Sequence, residues 1–413
     1  MPHSLPNRYT ELLQLLSEAD LSRFSRRLLD FIADQPVPGD LRVGAIRLRA
    51  AYNLYAAQEQ ATQSPEALRK LLDQAHDLLR ALQAWIDTQA PATAAETPVQ
   101  IRDNSVVFRG HQVTKRYDSP GHTFQLPPLD LQLRLGEITG VVGENGNGKT
   151  TLLRIVAGDL SHSSGTISYP WLKVDVPDWY RIKQRIALIN QHLDPWQGYL
   201  KENLHFMAAI HGIRGRENEE LVEFMLHRLG LTQYENALWS EISSGYKLRF
   251  ELARALVRRP ALLVIDEPLA NLDINTQQIF LQDLRYLANS TQYPMSIFLS
   301  SQHLHEVESI ADNILFIKNG ELLYNGRMAD FGRDRQENLY EFTSPLPKAE
   351  IVQRLERQIQ AGHIHIEDRG RHFLARTPVT VDAQALLELL VQAQITVSYF
   401  RDISTSTLKL FRE

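Results

Sequence analysis

Apolar residues in the first part of the chain recur at helical spacing. Leu21, Phe24, Leu28 and Phe31 form one such series, and Leu68, Leu71, Leu72, Ala75, Leu78, Leu79 and Leu82 form another. Ser64-Pro65 ahead of the second series has the chemistry of a helix start, with a hydroxyl to cap and a proline at the first helical position. Residues 8–86 therefore read as helices, and residues 1–86 as an all-α domain with no chemistry of its own. Its arginines, Arg23, Arg26, Arg27, Arg42, Arg47 and Arg49, read as a solvated face. Residues 87–100 are small, polar and dotted with proline, so 87–103 reads as a linker.

From 104 to about 333 the pattern changes. Short β-rich runs at 138–142, 186–189, 262–265 and 296–299 each precede a loop and a helical stretch, the alternation of a parallel sheet covered by helices. Residues 334–413 then read β-α-β-β-α-β. Strands are expected near Tyr340, 363–366, 372–375 and 396–399, and helices from Lys348 and Asp382. That order predicts a small ferredoxin-like α+β domain.

Composition narrows the function classes. The 413 residues leave room for two or three domains, and 43% hydrophobic with 23% charged residues is the balance of an ordinary globular protein. Lys and Arg number 44 against 49 Asp and Glu, a net charge of −5 that provides no global field for nucleic acid. The absence of cysteine excludes disulfides, thiolate metal sites and cysteine nucleophiles. No apolar run has membrane-spanning length, and the N-terminus lacks a charged start followed by an apolar core. The expectation is a cytoplasmic protein that reaches a membrane only by docking on another subunit.

Two motifs carry chemistry. Residues 143–151, GENGNGKTT, follow an apolar strand and precede a helical run. Gly143, Gly146 and Gly148 let the backbone curl, so that the N–H groups of the loop, with Asn145 and Asn147 between them, face anionic oxygens at a helix N-terminus. Lys149 is placed to reach the β- and γ-phosphates, the Thr150 hydroxyl to ligate Mg²⁺, and Thr151 to line the same loop. Downstream, LLVIDEP ends a buried strand in Asp266, suited to holding Mg²⁺ through water, and Glu267, suited to polarising an attacking water.

With these motifs the chain resembles the ABC ATPase family over residues 104–333. The resemblance implies an α/β P-loop cassette flanked by the N-terminal all-α and C-terminal α+β domains. It implies that Tyr117 stacks on adenine, and that Gln191 touches Mg²⁺ and the attacking water. Ser243 and Gly245 stand at the signature, and Asp273 faces a second cassette. It also implies ATP and Mg²⁺ as cofactors. The sequence departs from the family pattern at Ile242-Ser243-Ser244-Gly245-Tyr246, where the usual motif is Leu-Ser-Gly-Gly-Gln. It departs again where a γ-phosphate histidine is usual: register puts Gln302 there, with a one-residue shift to His303 as the alternative. Gln can donate a hydrogen bond but cannot titrate near neutrality.

One P-loop and one signature imply a homodimer or a pairing with a second cassette chain, since the family sandwiches ATP between two copies. The leading expectation is an ATP-hydrolysing subunit of a multidrug or ABC-2-type exporter, coupled to a separate permease chain. The alternatives are a soluble regulatory ABC ATPase and a slow nucleotide-dependent switch. The N-terminal helices are a candidate protein-interaction module.

Overall fold

A computed structural model describes residues 5–35, 37–56, 64–89, 105–119, 122–172, 178–270, 272–290, 293–318, 320–331 and 337–404. The chain forms two compact units, residues 1–302 with 317–322, and residues 303–316 with 323–413. Of the linker expected at 87–103, residues 87–89 instead continue a helix, and the rest lies outside the described residues.

The first unit opens with helices α1 (Leu5–Ser17), α2 (Leu21–Asp34), α3 (Gly39–Ala56) and α4 (Pro65–Gln89). Asp20 caps α2 by accepting from the Arg23 N–H at 2.9 Å, and the Ser64 hydroxyl accepts from the Glu66 N–H at 3.2 Å at the start of α4. The helical-spacing residues close one apolar core, with Phe24, Leu28, Phe31, Leu71, Ala75, Leu79 and Leu82 all buried. The arginines depart from expectation in part. Arg23, Arg42 and Arg47 are exposed as expected, but Arg27 and Arg49 are 7% and 2% exposed and Arg26 is half-buried. Charged residues at helical spacing look solvent-facing until another element packs over them, and here Arg228, Asp283 and Tyr286 from far along the chain do so.

Next come β1 (Val106–Ser119), β2 (His122–Arg134), β3 (Ile138–Val142), α5 (Lys149–Val156), β4 (Ser164–Ser168), α6 (Trp179–Arg185) and β5 (Ile186–Ile189). They are followed by α7 (Leu200–Ile210), α8 (Gly215–Arg228), α9 (Ser244–Leu256), β6 (Leu262–Ile265), α10 (Ile274–Ala288) and β7 (Ser296–Ser301). β1 lies between β2 and β4 in an antiparallel sheet. β5, β6, β7 and β3 are neighbours in that order and run parallel, so their carboxyl ends share one edge. β3, β6 and β7 are buried along their whole length, which explains their unbroken apolar character.

The second unit contains α11 (Leu304–Glu308), while β8 (Asn313–Lys318) and β9 (Glu321–Arg327) straddle the division. Beyond them lie β10 (Glu337–Thr343), α12 (Lys348–Arg354), α13 (Glu356–Gln360), β11 (His365–Asp368), β12 (Phe373–Pro378), α14 (Ala383–Gln392) and β13 (Tyr399–Asp402). Among the described residues these strands form an antiparallel sheet in the order β11-β12-β10-β13, the ferredoxin-like arrangement. The last strand begins at Tyr399 rather than 396. Gln394 at φ +55° and the Ile395 N–H bond to Leu390 O close the end of α14 first, and Ile395 enters the core. No helix of the described residues is long and apolar enough to cross a membrane.

Candidate nucleotide site

The parallel sheet delivers its chemistry where β3, β6 and β7 end, the usual place for a ligand in an open α/β sheet. β3 runs into the glycine loop. A Cβ on Gly143 would lie 2.2 Å from the Ile317 carbonyl oxygen, so only glycine fits there. Gly148 takes φ +87° as the N-cap of α5, and a Cβ there would meet the Phe124 ring at 2.6 Å. The next residue, Lys149, is 4% exposed. Its ammonium donates to the carbonyl oxygens of Gly143 (2.8 Å) and Glu144 (3.1 Å) and pairs with Glu267 Oε1 at 3.2 Å.

β6 supplies the carboxylates. The Thr150 hydroxyl donates to Asp266 Oδ2 at 2.7 Å, and the Ser300 hydroxyl from β7 donates to Asp266 Oδ1 at 2.5 Å. The same Ser300 oxygen accepts the Glu267 N–H at 2.9 Å. Glu267 itself adopts φ +45°, a left-handed conformation costly for a residue with a Cβ. Ser300 is fully buried and links both acids, so it is the side chain that holds this strained corner. Glu267 Oε2 accepts from Gln302 Nε2 and, at 3.4 Å, from Gln191 Nε2. One carboxylate is thus held by a lysine and two amides from separate loops.

A cleft of about 310 Å³ opens over these groups. Its lining includes Asn145, Gly146, Gly148, Lys149, Thr150, Thr151, Gln191 and Glu267, with Tyr117 and Phe124 at the apolar end. The two rings lie 6.1 Å apart with 39° between their planes, and Lys115 Nζ stands 5.2 Å over Tyr117. Two groups here escaped the sequence reading. Phe124 could have been found as the ring paired across the β1–β2 hairpin with Tyr117, in direct register. Ser300 had no local signal, being one serine in a buried strand.

Other expected residues stand outside this lining. Asn147 is buried in the loop, with its N–H directed to Glu144 O at 3.4 Å. Ser243 is the exposed N-cap residue of α9, and a Cβ on Gly245 would lie 3.4 Å from Leu272. Asp273 caps α10, accepting from the Thr276 N–H at 3.0 Å and its hydroxyl at 2.6 Å. His303 is exposed and is the N-cap residue of α11.

Residues 126–270 match the family model described as ABC transporter. Over 222 residues the chain is 31% identical to ABC transporter ATP-binding protein NatA of Bacillus subtilis (strain 168), covering 53% of this chain and 89% of that one. It is 32% identical over 232 residues to Methionine import ATP-binding protein MetN 2 of Listeria monocytogenes serotype 4b (strain F2365), covering 55% and 68%. The chain belongs to the ABC transporter ATP-binding protein family. Among solved structures, a dimeric ATP-binding cassette in a post-hydrolysis state with ADP and Pi aligns with a TM-score of 0.47 at 21% identity, over 53% of this chain and 98% of that one.

This ABC ATPase has the loop glycines, the lysine and the two carboxylates that follow β6, and at 242–246 it reads Ile-Ser-Ser-Gly-Tyr. Tyr246 packs on Tyr234 at 4.2 Å, and Gln233 Nε2 donates to its hydroxyl at 3.4 Å. The aromatic that replaces the family glutamine is therefore fastened to the loop before α9. Deeper in α9, Glu251 accepts from the Trp196 indole at 2.7 Å and pairs with Arg254, and burial raises its carboxyl pKa above the ordinary range. Trp196 also stacks on Trp239 at 5.0 Å, and its bond to Glu251 ties the segment after Gln191 to α9.

The donor set also suits Mg²⁺. A hydroxyl and a carboxylate 2.7 Å apart, Thr150 and Asp266, are hard oxygen ligands. Among the described residues no cluster of three or more His, Cys, Asp or Glu could form an all-protein metal cage. A cation that takes few protein ligands and shares phosphate oxygens fits this pair.

Proposed function

We propose that this ABC ATPase powers a membrane transporter, binding two ATP between two cassettes and hydrolysing them to separate the pair. The observation that carries the reading is the division of the machinery: the P-loop cleft holds Lys149, Thr150 and Glu267, while the signature serine Ser243 lies exposed outside it. A second cassette, a copy of this chain or a related one, brings its own Ser243 equivalent over the γ-phosphate and completes the site. Residues 104–333 are the cassette in this reading.

In the proposed reaction Tyr117 and Phe124 receive the adenine, and the loop N–H groups and Lys149 take the phosphates. Thr150, Asp266 and Gln191 would hold Mg²⁺, which supplies charge neutralisation at the β- and γ-oxygens. ATP displaces Lys149 from Glu267. The released carboxylate, steadied by the Gln302 and Gln191 amides, polarises the water that attacks the γ-phosphorus. Gln302 occupies the switch position and acts by geometry, holding Glu267 without carrying a proton.

A membrane partner is supported by exposed apolar side chains after Gln191: Tyr199, Phe206 (65% exposed) and Ile210 (57%). We assign this face to a permease subunit, which places the protein at the cytoplasmic side of a membrane. Size-exclusion and phosphate-release measurements on Glu267→Gln test the catalytic half. Dimers that persist with ATP and lost turnover support it, and wild-type turnover sinks it. Phe206→Asp tests the docking half, since the purified protein should lose membrane co-sedimentation while keeping its ATPase. Replacement of the family histidine by Gln302 favours a slow switch as the second reading. That reading gains if turnover stays far below one per second while the ATP-bound dimer forms.

A further inference from the structure

Three arginines of α2, from exposed Arg23 to buried Arg27, line a second cleft, far in sequence from the P-loop. It lies between α2 and α10, has a volume of about 260 Å³, and is lined by Ser22, Arg23, Arg26 and Arg27 facing Gln278, Gln282 and Asp283, with Asp20 and Ile279 at its margins. That volume equals roughly nine waters of liquid, enough for a compact small molecule.

The charges around it do not balance locally. Arg27 is committed within the protein. It pairs with Asp30 at 2.9 Å and Glu11 at 3.6 Å, and its guanidinium lies 3.2 Å over the Tyr286 ring. Asp30 is shared with Arg228 of α8 at 2.6 Å. Asp283 is then the carboxylate left for Arg26, at 3.7 Å, while Asp20 is taken by Arg23 and the cap of α2. Two further guanidiniums stand outside the cleft lining but near enough to Arg26 to feel its charge. Arg49 of α3 donates to Ser22 O and Ser25 Oγ, each at 3.0 Å, and a Cβ on Gly230 would lie 3.4 Å from Arg49 and 3.9 Å from Arg249 of the signature helix. Burial and then Arg26 bring the Arg49 pKa down to about 9, against Asp283 and Tyr52, with Arg249 adding least; burial and Arg26 also lower Arg249, against Asp283, Tyr246 and Asp273. The Nε atoms of Arg26 and Arg49 are buried with no hydrogen-bond partner among the described residues. Folded proteins keep buried cations paired and buried donors satisfied, so a cation surplus beside a cavity is the electrostatic imprint of an anion.

We propose that the cleft between α2 and α10 binds a compact polyanion, a phosphate monoester or a small polycarboxylate, through Arg23, Arg26 and the amides of Gln278 and Gln282. Its two or more negative oxygens offset the surplus that Asp283 alone leaves. Planar guanidiniums match such groups in a way that a single ammonium does not. The site is independent of the transporter reading.

The test is calorimetric titration of the full-length protein, with ADP saturating the P-loop cleft and magnesium omitted. Citrate and glycerol 2-phosphate serve as probes against chloride of equal ionic strength. At least one probe should bind with a sub-millimolar Kd, and which one binds separates carboxylate from phosphate recognition. Gln278→Glu, an exposed change on the cleft wall, should weaken binding about tenfold or more, the scale of one charge-assisted hydrogen bond. Arg26→Gln should do the same, with its melting temperature followed in parallel. No binding of either probe below about 10 mM overturns the proposal, and so does wild-type affinity in Gln278→Glu.

Discussion

The nucleotide cleft and the joint of α2 with α10 are both strongly charged, yet they are built on opposite plans. In the cleft each charged group has a partner: Lys149 pairs with Glu267, and the Thr150 and Ser300 hydroxyls both donate to Asp266. In the joint, cations outnumber the nearby carboxylates, and donors on Arg26 and Arg49 stay unsatisfied. The groups of the cleft are partnered as they stand, and in the proposed reaction ATP opens them; the joint keeps unpartnered donors, and in the proposed site an anion offsets its charge. Two buried polar networks in one chain can therefore hold opposite kinds of stored free energy.

The strongest way to break the comparison is at Glu267. Glu267→Gln should lower phosphate release by about a hundredfold or more, because the carboxylate is the only proposed base, while ATP binding measured by filter retention stays within a few fold. In the joint, Asp30→Ala should remove the carboxylate shared by Arg27 and Arg228 and cost about 3 kcal/mol of stability, read from denaturant unfolding. A loss under about 1 kcal/mol would show that the network carries no such burden.

Ser300→Ala sharpens the cleft side. It removes both the Asp266 bond and the acceptor for the Glu267 N–H, so kcat should fall roughly tenfold with little change in KM for ATP. Ser300→Thr should restore most of it. An equal loss in both variants, tracking melting temperature, would mark Ser300 as merely structural. Gln302→His should raise kcat a few fold if the switch residue limits turnover, and an unchanged kcat would shift the role to His303.

The smallest effect concerns acid. Burial lowers the His227 pKa below its ordinary value, despite Glu223 nearby. The folded state therefore binds this proton less readily than the unfolded chain. Its contribution is intact above about pH 6.5 and is lost as pH falls below that value. His227→Gln should flatten the decline in melting temperature between pH 7 and 5.5, and an unaltered slope would assign the decline to other groups.

Much of the cassette was legible because its chemistry is local. Residues 143–151 and 262–267 each bring several functional groups within one loop or strand end, and an unbroken apolar strand ahead of them announces where the sheet ends. Phe124 and Ser300 were missed for the opposite reason. Each reaches the site across a strand pairing, and a phenylalanine or serine within a strand looks like any other until its neighbour is known. Arg27 of α2 and Arg49 of α3 were misread for the same cause, while Arg23, Arg42 and Arg47 are exposed as expected. Helical spacing places them on a face, but α8, α9 and α10 decide whether that face meets water.

By itself, then, the amino-acid order determined the phosphate loop, the two carboxylates, the helical start and the β-α-β-β-α-β end of the chain, since turn chemistry and periodicity act over a few residues. The tertiary structure alone decided that Ser300 braces a left-handed Glu267, that Lys149 rests on that carboxylate, and that buried guanidiniums from distant helices crowd around one aspartate. Those features depend on low-dielectric contacts between residues far apart in sequence, where desolvation and pairing set the energy and no local pattern records them.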